Sequence, residues 1–397
     1  MDILIVSHFG ATYSKNDNDR FLYLANLLNK ENNVEIVTSS FCHEKKIHRN
    51  QTMADWPFKV TFIKEPGYKK NVCLKRFYSH YLFGLNLYKY IKTRKKPDVI
   101  YCAVPSLSGP YLISKFCVKN KIKFIIDIQD LWPEAFKMIF KVPVISNIVF
   151  KPFEFLANTI YRNADEIIAV SKTYVDRAIK VNKRVEQGYS VFLGTDLRTF
   201  DENVKKNKIL DYQDDIFRIG YCGTLGSSYD IKCVIDALKI VKDNRKQKIQ
   251  FILMGDGPKK DEYEKYANKK GIDCYFKGRL PYDKMCAIIA KCDIVVNPII
   301  ASSAATIINK HADYAACGHP VVNTQESVEY RNLVEKYNMG LNCENENAVD
   351  LASKISFLLD NKELCYQMGM NARQCAEEKF DRRFTYRKIE KVIKGEK

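Results

Sequence analysis

The chain alternates between short apolar runs and longer stretches with helical spacing. Asp2 to Ser7, Val34 to Thr38, Asp98 to Ala103, Phe124 to Ile128 and Glu166 to Ser171 are apolar runs of strand length, and Val191 to Asp196 closes this first half. Runs that are apolar on both faces are expected of strands buried in a parallel sheet. Between them, Asp19 to Asn29, Tyr111 to Asn120 and Lys172 to Lys180 place apolar residues on one helical face, as Phe21, Leu24, Leu27 and Leu28 do in the first. The apolar and basic stretch Phe136 to Arg162 is expected to be interrupted at Pro143 and Pro152. Residues 201–216 (DENVKKNKILDYQDDI) are polar and charged and read as a linker.

Beyond that stretch the pattern restarts. Phe217 to Gly226 is a strand followed by a loop carrying Gly223 and Gly226. Gln250 to Met254 is a strand followed by Gly255-Asp-Gly-Pro258, Cys274 to Pro281 a strand and turn, and Ile294 to Pro298 another strand. Helices are expected over about 230–243, 263–270, 285–291 and 307–316, and from Ala348 onward, the last covering Phe380 to Ile393. The reading is α/β: two Rossmann-like domains with parallel sheets facing across a cleft, 1–200 and 217–379, with a final helix (about 380–395) packing back on the first.

Ser302 to Val322 is the stretch with most chemical content. Ala301 to Thr306 are all small, and they lead from a strand tip into a helix that Cys317-Gly318 and Pro320 end. Free amides at such a start suit a phosphate, and small side chains let it approach closely. Lys310 and Asp313, three apart, share a helical face; a lysine there can neutralise a diphosphate and a carboxylate can accept from ribose hydroxyls. The same two residues read equally well as a surface Lys–Asp pair worth a few tenths of a kcal/mol.

Composition narrows the classes. The 397 residues suit two domains, and no apolar run reaches the roughly 18 residues of a membrane span. The opening Met1-Asp-Ile-Leu-Ile-Val lacks the basic region and cleavage site of a secretory leader. Thirteen cysteines without a CxxC pair read as reduced core thiols of a cytosolic protein. Of the net charge of +17, the first 197 residues carry +12, which points to an anionic partner. Lys69 to Lys96 holds nine Lys/Arg and no acid among Phe77, Tyr78, Tyr81, Phe83, Tyr88 and Tyr90. Such a helix suits an anionic membrane surface; the alternative is a solvated helix whose aromatic residues pack inward. Asp127-Ile-Gln-Asp-Leu-Trp-Pro-Glu134, at a strand tip, reads as a site or else as a capped loop with a packing Trp132. A single Gly10 follows the first strand, so the dinucleotide fingerprint of a dehydrogenase is absent.

Four motifs in fixed order carry a resemblance: Asp127 to Glu134 (D-x-x-D-L-W-P-E), Gly220 to Gly226, Leu253 to Pro258 with Phe276-Lys-Gly278, and Asn309 to Val322. The chain resembles the family 4 glycosyltransferases of the GT-B fold, and within them the bacterial capsule and O-antigen transferases of the N-acetylfucosamine type. The resemblance implies a metal-independent, retaining transfer of a hexosyl or N-acetylhexosaminyl group from a nucleotide-diphosphate donor, with no cofactor, to a lipid-linked glycan acceptor. It implies surface polysaccharide synthesis in the cytoplasm, peripheral on the inner membrane face, with the basic first domain on anionic lipid and no nucleic-acid partner. It carries Lys310 and Asp130 over as catalytic candidates. Gly223, Thr224, Gly255, Arg279, Leu280, Ser303, Ala304, Thr306 and Asp313 become donor contacts, and Gly10 and Glu134 acceptor or sugar contacts. Where relatives carry two glutamates eight apart, this chain has Ala305 and Asp313; where they carry Arg and Lys in the first glycine loop, it has Thr224 and Tyr229. Two other readings stay open: a GT-B sugar-nucleotide epimerase, which would use carboxylates as acid and base, and a basic nucleotide-binding protein without transfer chemistry.

Overall fold

The computed structural model describes residues 1–10, 18–49, 56–71, 73–139, 143–207, 215–301, 303 and 306–396, with side chains left undescribed at 137–139 and 143–147. The chain divides into two units, Met1–Val191 with Tyr386–Lys397, and Phe192–Thr385.

The first unit is built on strands β1 (Asp2–Ser7), β2 (Asn33–Ser39), β3 (Phe41–Cys42), β4 (Ile47–His48), β5 (Lys59–Ile63), β6 (Val99–Val104), β7 (Lys123–Ile128), β8 (Glu166–Ala169) and β9 (Tyr189–Ser190). Seven of them form a parallel sheet in the order β5-β2-β1-β6-β7-β8-β9, and β3 and β4 make a small antiparallel pair. The order steps outward on both sides of β1 and β6, so the chain reverses its winding between those two strands. In such sheets ligands bind beyond the carboxyl ends at the reversal. The central strands are buried on both faces because their side chains are almost all aliphatic, from Ile3 to Val6 and from Val99 to Val104. Tyr386, Ile389, Val392 and Ile393 of the Arg382–Lys394 helix join this core beside Ile3, Ile5, Leu24 and Tyr101.

The second unit repeats the architecture with β10 (Ile216–Cys222), β11 (Lys248–Met254), β12 (Cys274–Gly278), β13 (Ile294–Asn297), β14 (Val321–Asn323) and β15 (Gly340–Asn342), all parallel, in the order β12-β11-β10-β13-β14-β15.

Three sequence expectations change. The expected linker begins inside a helix, Leu197–Lys206, capped by Asp196, whose carboxylate accepts from the Thr199 amide (3.1 Å). Its polar residues hide an apolar stripe: Leu197 and Phe200 join the core of the second unit and Val204 packs against it. The division therefore falls at Val191/Phe192, and residues 208–214 lie outside the described residues. Pro152 does not end a helix. The Pro143–Asn163 helix runs through it, because a proline removes a single backbone bond while Phe150, Ala157, Ile160 and Tyr161 are buried to either side. The Phe380–Ile393 helix starts later, at Arg382; Phe380 ends a π-helical turn, Ala376–Phe380, and is buried in the second unit.

Candidate active site

Two glycine loops stand side by side at the carboxyl edge of the second sheet. The Gly223 amide donates to the Met254 carbonyl (3.0 Å), the Leu225 amide to Asp256 (2.9 Å) and the Lys259 amide back to Leu225 (3.0 Å). This stitching leaves no room for side chains: a Cβ at Gly255 would overlap the Gly223 carbonyl, and one at Gly257 the Leu225 carbonyl. Gly223 also has φ +141°, which side-chain-bearing residues rarely adopt. The glycines of the two loops bring backbone against backbone at this edge.

The Asn309–Ala316 helix enters beside them. Tyr314 fixes it to the end of β10 by accepting from the Cys222 amide (3.1 Å). His311 holds its start: Nδ1 accepts from the Ile308 amide (3.3 Å), and the ring stacks on Tyr330 at 3.5 Å. Burial keeps that imidazole neutral, well below its ordinary pKa. The outcome of this anchoring is the position of Lys310. It is only 7% exposed, and its Nζ has no hydrogen-bond partner. The amine lies 3.9 Å from the ring centroid of Tyr229 and 4.4 Å from that of Tyr221, and a Cβ on Gly223 would stand 3.4 Å from it. Removed from water, it is held down at about 7. An amine this deep, facing two ring faces and without a hydrogen-bond partner, carries an uncompensated desolvation cost when charged. Thr306, four residues earlier, is also buried with an unpartnered Oγ1.

Asp313 is likewise buried, at 8% exposure, so the reading of Lys310 and Asp313 as a surface ion pair is overturned. Its Oδ1 accepts from Tyr282 Oη (2.8 Å), which shares a second bond with Thr195 Oγ1 (2.7 Å). Burial raises the carboxyl to about 6, against the pull of Tyr282, Arg382 and Thr195. Behind the loop, Asn297, Asn323 and Asn342 stand in register at the ends of β13, β14 and β15. Asn297 Nδ2 donates to Asn323 Oδ1 (2.8 Å) and Asn323 Nδ2 to Asn342 Oδ1 (2.8 Å). Gln325 accepts from Asn297 (3.0 Å) and donates to the Thr306 carbonyl (2.8 Å), which ties Thr306 to the sheet.

The other expected donor residues are less uniform. Thr224 is exposed, and its carbonyl accepts from Tyr221 Oη (2.8 Å). Arg279 is exposed after β12, whereas Leu280 packs against the core cluster. The Ser303 amide is not free for a phosphate: it donates to the Ile300 carbonyl (3.1 Å) because the chain turns there. Ala304 and Ala305 lie outside the described residues.

In the first unit the acidic motif splits by role. Asp127 is no surface acid: fully buried, it takes Arg20 Nε (2.7 Å) and Nη2 (3.2 Å) and Tyr101 Oη (2.8 Å), while Arg20 also donates to Tyr386 (3.1 Å). Asp130 accepts from Trp132 Nε1 (3.1 Å) and the Leu131 amide (2.9 Å), and burial raises its pKa. Glu134 pairs with Arg177 (2.5 Å) and leaves Oε2 unpartnered. Gly10 contributes a carbonyl to Arg49 (2.7 Å). Sequence reasoning missed Tyr221, Tyr282, Thr195 and the asparagine ladder, and noted Tyr229 only as standing where relatives carry a lysine. Only the ladder has a local signal, an asparagine closing each of three successive short apolar runs.

Comparison with known proteins bears on this geometry. Residues 202–375 match the family Glycosyl transferases group 1. The chain is 25% identical over 228 residues to an uncharacterized glycosyltransferase of Methanocaldococcus jannaschii (57% of each chain), and 27% identical over 195 residues to Protein CapJ of Staphylococcus aureus (48% of this chain, 46% of the relative). The match thus spans about half the length of these relatives. Over the whole chain the fold is similar to that of Anabaena HepE in complex with UDP (TM-score 0.71, 16% identity, all of both chains). It is also similar to WaaG, a glycosyltransferase involved in lipopolysaccharide biosynthesis (TM-score 0.70, 12% identity, 99% of this chain and 100% of that one). The fold is GT-B.

Proposed function

We propose that this GT-B chain is a metal-independent, retaining glycosyltransferase that moves a hexosyl or N-acetylhexosaminyl group from a nucleoside-diphosphate sugar to a lipid-linked glycan in surface polysaccharide (capsule or O-antigen) synthesis. The observation that carries it is the unpartnered Lys310 amine beside the stitched glycine loops. In the reaction the bond between the sugar C1 and the β-phosphate oxygen breaks, a bond from C1 to an acceptor hydroxyl oxygen forms, and the hydroxyl proton passes to the leaving phosphate. Negative charge grows on the departing diphosphate, where a positioned cation stabilises the transition state more than the ground state. Lys310 is assigned that role, Gly223 and Gly255 the close approach of backbone to phosphate, and Asp313 a ribose hydroxyl. The N-acetylfucosamine-type specificity is proposed on the motif resemblance alone. The positive first half supports work at the anionic inner face of the membrane. No helix among the described residues is long and apolar enough to cross one.

The test is release of nucleoside diphosphate from a panel of nucleotide sugars, with UDP-sugars first because HepE holds UDP. The sugar must appear on a lipid-linked acceptor. Interconversion of the donor sugar without transfer would instead establish the epimerase reading, and binding without either product would leave a nucleotide-binding protein.

A further inference from the structure

The carboxyl edge of the first sheet carries a cluster that the donor chemistry leaves unused. His8 and Phe9 follow β1, Asp130 and Trp132 follow β7, and Tyr68 and Arg76 flank the start of the Leu74–Thr93 helix. The Arg76 guanidinium lies 4.8 Å from the Trp132 ring centroid, 5.6 Å from Tyr68 and 5.8 Å from Phe9. The residue is 8% exposed; Nη1 donates to the Asn71 carbonyl (2.8 Å), and Nε has no partner. Arg20, equally buried, is matched by Asp127 at 2.7 Å, whereas no carboxylate among the described residues forms an ion pair with Arg76. The acids around it spend their hydrogen bonds elsewhere, although Asp130 still acts on Arg76 as a negative charge. Asp130 is bonded to Trp132 and Leu131, and Glu65 accepts from His8 (2.8 Å), Ser39 and Ser79 (2.5 Å).

A second cation stands in the same cluster. Lys46 Nζ lies 4.9 Å from the Tyr68 ring, donates to Asn71 Oδ1 (2.5 Å) and stands 3.2 Å from His43 Nδ1, with no carboxylate in ion-pair contact among the described residues. Tyr68 Oη meets His43 Nδ1 and, at 3.3 Å, His80 Nε2. Burial and the charges of Lys46 and Arg76 push His43 down to about 3, with Glu65 pulling weakly the other way, so the cationic groups dominate this cluster. A buried guanidinium is kept in proteins when it is paired, because desolvating it unpaired is costly. Here the pairing group is missing from the chain itself, at the sheet edge where ligands of this topology bind.

We propose that Arg76 and Lys46, with Tyr68 Oη, form an oxyanion subsite in the first unit that takes a phosphate group of the acceptor. The word acceptor rests on the glycosyltransferase reading; the anion subsite does not. The outer side of the same helix exposes Leu74 (87%), Tyr78 (58%) and Tyr81 (53%), an apolar strip starting two residues from Arg76. A phosphate carried by a lipid could therefore lay its chain along this strip, and a free phosphate compound would not use it.

The probe is inorganic pyrophosphate, titrated calorimetrically into Lys310→Ala protein so that the donor site is silent. Saturable binding is expected, weakened roughly tenfold or more by adding Arg76→Gln, since hydrogen bonds to charged groups contribute on that scale. Should the Arg76→Gln protein fail to fold, Lys46→Gln, at a half-exposed position, is expected to weaken binding several-fold. Farnesyl diphosphate binding tighter than pyrophosphate, with the gain lost in Leu74→Ser/Tyr78→Ser, assigns the phosphate to a lipid; equal binding assigns it to a soluble compound. Absence of binding in Lys310→Ala protein, or binding indifferent to both Arg76 and Lys46, overturns the subsite. Failure of sugar transfer with this binding intact would remove the proposed function and leave the subsite standing.

Discussion

Lys310→Met is the perturbation on which the site description can be broken. Most truncations of buried side chains destabilise, but this one removes an amine that has no hydrogen-bond partner. Its drop from the ordinary lysine value of 10.5 to about 7 corresponds to roughly 4–5 kcal/mol against the charged form, at about 1.4 kcal/mol per pH unit. Loss of the two ring contacts with Tyr221 and Tyr229 offsets about 1–2 kcal/mol of the relief. Discounting further for relaxation, Lys310→Met should stabilise the ligand-free protein by about 2 kcal/mol. For a unit of 194 residues that is a rise in Tm of about 4–8 °C. The pH dependence fixes the cause. Between about pH 7 and 10.5 the unfolded chain holds the lysine proton and the folded chain does not, so wild-type stability rises with pH across that window. The advantage of the variant should therefore be largest at pH 7 and below, and fade towards pH 10. Differential scanning calorimetry at pH 7 and pH 9.5 measures this. Turnover should fall on the order of a hundredfold in the same protein. A lower Tm at pH 7, or a gain that does not change with pH, would refute the account of Lys310 as an uncompensated buried cation.

Asp313→Asn should raise the donor KM more than it lowers kcat, since a ribose contact persists from ground to transition state, and initial-rate kinetics with the active donor separates the two. The raised carboxyl of Asp313, at about 6, gives stability that is present below about pH 4 and lost as pH rises through 6; Asp313→Asn should flatten that part of the Tm–pH curve. Asp127→Asn should destabilise by about 3–5 kcal/mol because Arg20 loses its counter-charge, a loss that urea titration would show, and an unchanged midpoint would count against the buried pair. Charge reversal at Lys92, Lys95 and Lys96 should lower sedimentation with anionic vesicles, and equal sedimentation would remove the Leu74–Thr93 region as a membrane anchor.

The buried strands were legible because apolar residues dominate both of their faces: β1 and β6 are almost wholly apolar, and β7 and β10 keep enough apolar positions around Asp127 and Arg218 to read as buried. Two of the strands that sequence reasoning passed over, β5 and β15, lie at sheet edges and have half-exposed residues, which blurs the apolar signal, and β3, β4 and β9 are only two residues long. The helix at Leu197–Lys206 was hidden because three apolar residues at helical spacing suffice to dock it, and seven polar neighbours dominate the composition. In the candidate site, the glycine loops and the Lys310–Asp313 spacing are local patterns, and the structure brings Gly223, Gly255 and Lys310 together. The rings of Tyr221 and Tyr229, and the Tyr282–Thr195 pair that holds Asp313, come from elsewhere in the chain. A tyrosine has no spacing rule that announces which cation or carboxylate it will face.

The composition of the first unit has a consequence for biosynthesis. Its core includes Tyr386, Ile389, Val392 and Ile393, but 194 residues of the second unit are translated between Val191 and Tyr386. At about 5–20 residues per second the ribosome needs roughly 10–40 s to cover that distance. During that interval Arg20 and Asp127 can meet, but the Tyr386 hydroxyl that completes their bonding has not yet been made. The nascent first unit thus emerges with an aliphatic groove open beside Ile3, Ile5 and Leu24, and the second unit, whose residues are contiguous, can close before it. The domain synthesised first is the one finished last.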